Sequence, residues 1–216
     1  PSVRPLVMGA TFGIALTLVI IAGSELFTGH TMFLTLGVKA GTISQGQMWA
    51  ILPQTWVGNL LGSVFVALLY SWGGGGLLPV DTSLVHTVAL AKTSQSAMAL
   101  FFKGALCNWL VCLAIWMAIR TEGAAKFIAI WWCLLAFIAS GYEHSVANMT
   151  LFALSWFGHH SDAYTLAGIG HNLLWVTLGN TLSGVVFMGL GYWYATPQSE
   201  RPAPEKIKQS EAAANN

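Results

Sequence analysis

Two short polar runs interrupt otherwise apolar helical segments, and they do so in the same order of parts. Gly23-Ser24-Glu25-Leu26-Phe27-Thr28-Gly29-His30 follows the apolar run 9–22, and Gly141-Tyr142-Glu143-His144-Ser145-Val146-Ala147-Asn148 follows the apolar run 127–140. Each leads back into apolar residues, 32–36 and 149–156, then into a long apolar segment carrying a Gly-Asn pair, Gly58-Asn59 or Gly179-Asn180. Hydrocarbon offers no partner to a backbone N–H or C=O, so a broken span is tolerated only where it is buried or lines a cavity. Duplicated broken helices are how many transport proteins place polar groups at the bilayer midplane. The expected architecture is an all-α integral membrane protein, a bundle of inverted repeats with two broken helices and a pore.

Composition agrees. Charged residues make up 8% of the chain and hydrophobic ones 55%, against roughly 25% charged in soluble domains. The apolar segments read as 5–22, 47–72, 97–119, 127–142 and 167–195. A span needs roughly 20 apolar residues, which the fourth segment reaches only with its broken continuation. Several of the ten Trp stand near segment ends, where amphipathic rings favour the membrane interface. Cys107, Cys112 and Cys133 all fall inside spans and read as packing residues, without disulfide or zinc spacing.

With five crossings, Lys39, Arg120, Lys126, Arg201, Lys206 and Lys208 share one side, while Arg4 and Lys92 lie on the other. The positive-inside rule puts the larger group, and the C-terminus, in the cytoplasm. Residues 1–195 form the expected channel domain, with an incomplete first repeat (1–72) and a second repeat (97–195). The Pro-, Glu-, Lys- and Ala-rich tail 196–216 has little to bury and is expected to be disordered. Helix 97–119 precedes the second broken helix but has no counterpart before the first, so five of six spans are expected here, with one more before Pro1.

Glu25-Leu26-Phe27-Thr28-Gly29, the run 141–149, Asn108 within Gly104-Ala105-Leu106-Cys107-Asn108-Trp109, and Gly179-Asn180 resemble the formate/nitrite transporter family over residues 1–195. The resemblance implies an aquaporin-like six-helix protomer in a homopentamer, one pore per protomer, in the bacterial inner membrane. It implies a small anion substrate, nitrite ahead of formate or hydrosulfide, and no cofactor, metal, nucleic-acid partner or enzymatic reaction.

The resemblance also places the site. His144 is its central pore histidine, an imidazole able to donate to an anion and to titrate near neutrality. Thr28 falls beside it, its hydroxyl opposite the ring by the pseudo-symmetry. Asn108 and Asn180 are expected to orient the ring or to glue helices together. Phe12, Leu16, Leu26, Phe27 and Phe137 match narrow apolar constrictions. Lys92, in the long outer loop, is a candidate cation at the pore mouth. Glu25, Glu143 and Asn148 are read as structural at the breaks, the carboxylates accepting from unpaired backbone N–H groups. His30, His86, His171 and the His159-His160 pair show no metal spacing and receive no role. Residues 73–76, four glycines, read as a flexible turn.

Three functions remain open to the sequence. A monovalent-anion channel leads. A neutral-solute pore of the aquaporin type lacks the paired Asn-Pro-Ala motifs, and a histidine-based membrane enzyme lacks any metal-binding spacing. An anion entering a low-dielectric passage loses several kcal/mol of solvation. His144 must therefore either solvate the anion or give it a proton, and the sequence leaves both routes open.

Overall fold

The computed structural model describes residues 3–75 and 83–201, and all regular structure among them is helical. In chain order the helices are α1 (Arg4–Ala22), α2 (Phe27–Ala40), α3 (Gln45–Trp72), α4 (Leu84–Thr93), α5 (Ala97–Ala118), α6 (Ala124–Ala139), α7 (Ser145–Phe157) and α8 (Leu166–Leu182). A π-helical segment, Ser183–Leu190, joins α8 to α9 (Gly191–Ala195), and a 3-10 turn follows at Gln198–Glu200. The tail beyond Arg201, with the expectation of disorder there, lies outside the described residues, as does Gly76 of the glycine turn.

Helices Arg4–Ala22, Gln45–Trp72, Ala97–Ala118 and the continuous Leu166–Ala195 are long and apolar enough to cross a membrane. The fourth expected span is, as expected, broken: it consists of two short helices, α6 of 16 residues and α7 of 13, meeting at the second break. Side-chain caps set several starts. Ser44 and Gln47 form a reciprocal capping box on α3, and Ser96 and Thr165 accept from the third N–H of α5 and α8.

Two elements differ from the sequence reading. Lys92 sits in the last turn of α4, a helix capped by Ser83, not in a loop. Ten residues are too few for a hydropathy pattern to declare a helix, and α4 draws its order from packing on α7 and α8. The last span is not a uniform α-helix, since its middle widens to π geometry where it packs on α2 and α5.

The halves interlock by exchange. α7 packs on α3, and α2 packs on the π segment, so each post-break helix rests on the last span of the other half. α1 lies along α6, and α5 along α8. Leu16, Met32, Val111, Ile115, Ile130, Leu134, Phe137 and Met188 form the main buried core at the centre of this exchange, together with the three free cysteines. Outward, α1 and α3 expose Ile14, Leu18, Ile21, Leu61, Phe65 and Leu69, a distribution suited to lipid or neighbouring helices rather than water.

Candidate functional site

Both breaks begin with the same turn. Gly23 and Gly141 take left-handed φ values of 74° and 67°, which a side chain would strain. The next residue then bonds backward, Ser24 N–H to Val19 C=O and Tyr142 N–H to Phe137 C=O, each at 3.0 Å. The chain runs extended to Leu26 (φ −126°, ψ 114°) and His144 (φ −118°, ψ 117°), each the N-cap of the following helix. The register that pairs Glu25 with Glu143 therefore pairs His144 with Leu26. Thr28 is not in the break but in the first turn of α2, fully buried.

Each break is clamped by the asparagine of the Gly-Asn pair. Asn59 Oδ1 accepts from Phe27 N–H and its Nδ2 donates to Glu25 C=O, both at 2.9 Å. Asn180 Oδ1 accepts from Ser145 N–H at 2.9 Å, while its Nδ2 donates to Glu143 C=O at 3.1 Å and Gly104 C=O at 2.8 Å. One side-chain amide thus satisfies a donor and an acceptor two residues apart in the chain, the groups that the interruption removes from the helical ladder. Asn180 accordingly contacts backbone and not the imidazole. Asn108 likewise donates to Thr28 C=O, Thr31 Oγ1 and Asn180 C=O, tying the first post-break helix to α8.

His144 caps its own helix, its Nδ1 accepting from Ala147 N–H at 3.1 Å. A ring nitrogen that accepts carries no hydrogen, so in the neutral ring the proton is on Nε2. Nε2 lies 2.9 Å from Thr28 Oγ1, which is then the acceptor. The contact expected between Thr28 and His144 is present, with the hydroxyl turned to the ring rather than to a lumen.

Beside His144, Glu143 is 1% exposed and accepts from side chains rather than from backbone N–H groups. Lys92 Nζ (2.8 Å) and Asn148 Nδ2 (2.7 Å) meet its Oε2, and Gln95 Nε2 (3.0 Å) meets its Oε1. Lys103 Nζ donates to Gln95 Oε1 at 2.6 Å, and Asn172 links Asn148 to Lys92 C=O. Lys92 is therefore an ion-paired cation next to His144, not a free charge at a mouth. The cluster sets two ammonium groups against one carboxylate. Glu25 also differs from expectation: its exposed carboxylate pairs with His30, and Asn59 holds the backbone in its place.

Two cavities meet at Phe12, Phe137, His144, Ala147 and Leu151. The larger, about 440 Å³, continues along Leu16, Val19, Leu26 and Leu134, with His144 and Thr150 as its polar linings. The smaller, about 230 Å³, continues along Val85, Val88, Tyr142 and Asn148 to Lys92. Phe12 and Phe137 pack edge to face with centroids 5.9 Å apart, and Phe137 stacks on His144 at 6.1 Å. Phe12, Leu16, Leu26 and Phe137 line these cavities. Phe27 does not, because it is buried with Met48 and Leu52 against α3.

Asn59, Gln95, Lys103 and Asn172 were given no role from the sequence. The recurrence of Gly-Asn after each break marked Asn59. Nothing local marked the others, whose meaning comes from helices that meet only in the fold.

The family description Formate/nitrite transporter matches residues 1–194. The chain is 92% identical to the nitrite transporter NirC of Salmonella typhimurium over 216 residues, covering 100% of this chain and 80% of that protein. A solved FNT family ion channel superposes with a TM-score of 0.90 at 93% identity, covering 91% of this chain and 79% of the other. A pentameric formate channel with formate bound gives a TM-score of 0.78 at 29% identity, over 89% and 83%. Interlocked broken helices, clamped breaks and paired apolar cavities thus occur in a chain that belongs to the formate/nitrite transporter family, a multi-pass membrane channel protein.

Proposed function

We propose that this chain conducts nitrite, with formate and hydrosulfide as competing substrates, and that it does so as one protomer of a homopentamer in a bacterial inner membrane with its C-terminus cytoplasmic. Residues 1–195 act as one channel domain of two inverted repeats, 1–72 and 97–195. Support for the substrate comes from the 92% identity to a nitrite transporter, and for the pentamer from the likeness to a pentameric formate channel.

The observation that carries the reading is the single N–H of His144 at the junction of two apolar cavities. An anion arriving between the Phe12–Phe137 pair and the Leu16–Leu26 wall meets little else to replace its water. Nε2–H is held by a neutral hydroxyl, and a bond to an anionic acceptor is roughly twice as strong. The anion therefore takes the donor from Thr28, and Thr28 recovers it on departure, so binding is favourable without trapping the ion. The Lys92–Lys103–Glu143 cluster adds a positive field along the approach. Giving up a proton would require a doubly protonated ring, hence loss of the Ala147 cap at Nδ1. The geometry supports solvation of the anion over protonation of it.

Nitrite flux into liposomes tests this with wild type, His144→Asn and His144→Phe at two pH values, beside formate and hydrosulfide. Asn keeps a donor and should conduct within a few-fold of wild type with a similar pH profile, while Phe should block. Wild-type flux from His144→Phe would place the pore elsewhere. A pH response abolished in His144→Asn would favour proton donation.

A further inference from the structure

Away from the conduction path, the cation–ring contacts of the described residues gather at one end of the bundle. Arg120, just beyond α5, lies over Trp116 with its guanidinium carbon 4.8 Å from the ring centroid. Arg201 lies over Trp193 at 5.3 Å, and Lys39, near the end of α2, lies over Tyr194 at 5.1 Å. No carboxylate pairs with these cations among the described residues, whose ion pairs are His30 with Glu25 and Lys92 with Glu143. Hydrogen-bond donors are in surplus as well. A guanidinium carries five N–H groups. Arg201 gives two of its five, to Thr196 C=O at 2.9 Å and Tyr194 C=O at 3.3 Å, which leaves three. The guanidinium of Arg120 meets a ring face but no hydrogen-bond acceptor among the described residues.

Both arginines border one hollow of about 330 Å³. Leu36, Gly37 and Ala40 of α2 give it an apolar side, and Trp116 and Trp193 line it further. Apolar surface continues from it toward the middle of the spans. Phe33 lies one turn before Gly37 on α2, Trp109 lies two turns before Trp116 on α5, and both are exposed. A soluble anion would gain from the guanidinium groups and nothing from these rings. A phospholipid uses both, its phosphate oxygens meeting the donors and its acyl chains the apolar stripe. Tryptophan favours the membrane interface, and basic pockets between helices there are suited to anionic head groups. We propose that this hollow binds the phosphate of an anionic phospholipid from the leaflet on the C-terminal side, with Arg120 as first donor and Arg201 as second.

The site joins elements that the chain keeps far apart. α2 belongs to the first repeat and α5 to the second, while Arg201 follows the last span, so one bound phosphate ties three helix ends together. Arginine suits the place better than lysine. Its flat guanidinium can stack on Trp116 and still present paired N–H groups to two phosphate oxygens. Arg201 is held in advance, since its bonds to the carbonyls around the end of α9 keep the guanidinium over Trp193. Lys39 adds charge from nearby and is committed to Tyr194 Oη at 3.0 Å. Glu122, two residues beyond Arg120, is exposed and forms no ion pair with it.

Native mass spectrometry of the detergent-purified protein, titrated in parallel with phosphatidylglycerol and phosphatidylethanolamine, tests the site. Wild type should bind phosphatidylglycerol the more tightly. Arg120→Gln and Arg201→Gln should each weaken that binding about five-fold, the usual effect of one basic group near an anionic head group. Arg120→Lys, which keeps the charge without the fork, should fall between wild type and Arg120→Gln. Lys126→Gln removes an equal charge at the start of α6, on the same end but outside the hollow, and should leave the affinity unchanged. An equal loss in Lys126→Gln, or equal affinity of wild type for the two lipids, overturns the proposal. Arg201 also bonds the end of α9, so if Arg201→Gln misfolds, Arg120→Gln decides, its side chain having no hydrogen bond to lose among the described residues. Inorganic phosphate and glycerophosphate should not displace phosphatidylglycerol. Displacement by either at matching concentration overturns the lipid as occupant and makes the hollow a soluble-anion site.

Discussion

Truncating the two clamp asparagines should destabilise the protein unequally, although the clamps are copies of one another. Asn180 is fully buried and serves three backbone groups, Ser145 N–H, Gly104 C=O and Glu143 C=O. Asn180→Ala leaves Ser145 N–H and Glu143 C=O without a partner, while Gly104 C=O keeps its bond within α5, at about 1–3 kcal/mol for each orphaned buried group. A water in the vacated space recovers part of this, so the expected loss is about 2–5 kcal/mol. Asn59 serves two groups from a half-buried position, where less of the penalty for an orphaned group applies, and Asn59→Ala should cost about 1–2 kcal/mol. Equilibrium unfolding in mixed detergent micelles, followed by tryptophan fluorescence, measures both. Asn180→Ala should lie lower by about 1 kcal/mol or more. Equal losses, or a larger loss at Asn59, would refute the claim that burial of the served groups sets the strength of each clamp.

The neighbouring glycines should divide in the same way: a Cβ on Gly179 would lie 2.1 Å from Phe101 C=O, whereas one on Gly58 meets nothing within 4 Å. Gly179→Ala should prevent α5 from seating on α8 and abolish folded yield, while Gly58→Ala should be neutral or stabilise by up to about 1 kcal/mol, read by the same unfolding assay. Lys92→Met strands the Glu143 carboxylate, 1% exposed, and should cost about 3–5 kcal/mol; adding Glu143→Gln should recover most of it. For topology, a reporter fused after Asn216 should be cytoplasmic, and a cysteine at exposed Ser161 should react with an impermeant thiol reagent from outside. Labelling only after permeabilisation would reverse the orientation.

The sequence by itself determined the plan of the molecule. Two polar runs in apolar context, each with a glycine at its head and a Gly-Asn pair downstream, are local signals, and hydrocarbon permits few solutions to a broken span. The two breaks, the apolar helices around them and the place of His144 at the second break followed from them. What it could not decide was the partner of each polar group. Glu25 and Glu143 look alike in the chain, yet one meets His30 one turn away and the other meets Lys92 from α4, a helix too short to announce itself. Phe27 and Leu26 are adjacent apolar residues; the extended N-cap backbone turns Leu26 to the cavity, and the first helical turn buries Phe27 on α3. The tautomer of His144 rests on Ala147 N–H and Thr28 Oγ1, one supplied by its own helix and the other by the opposite repeat. Periodicity and composition report which face is apolar, whereas hydrogen-bond direction depends on which atoms the exchange of helices between the repeats brings within 3 Å, and only the tertiary structure sets that.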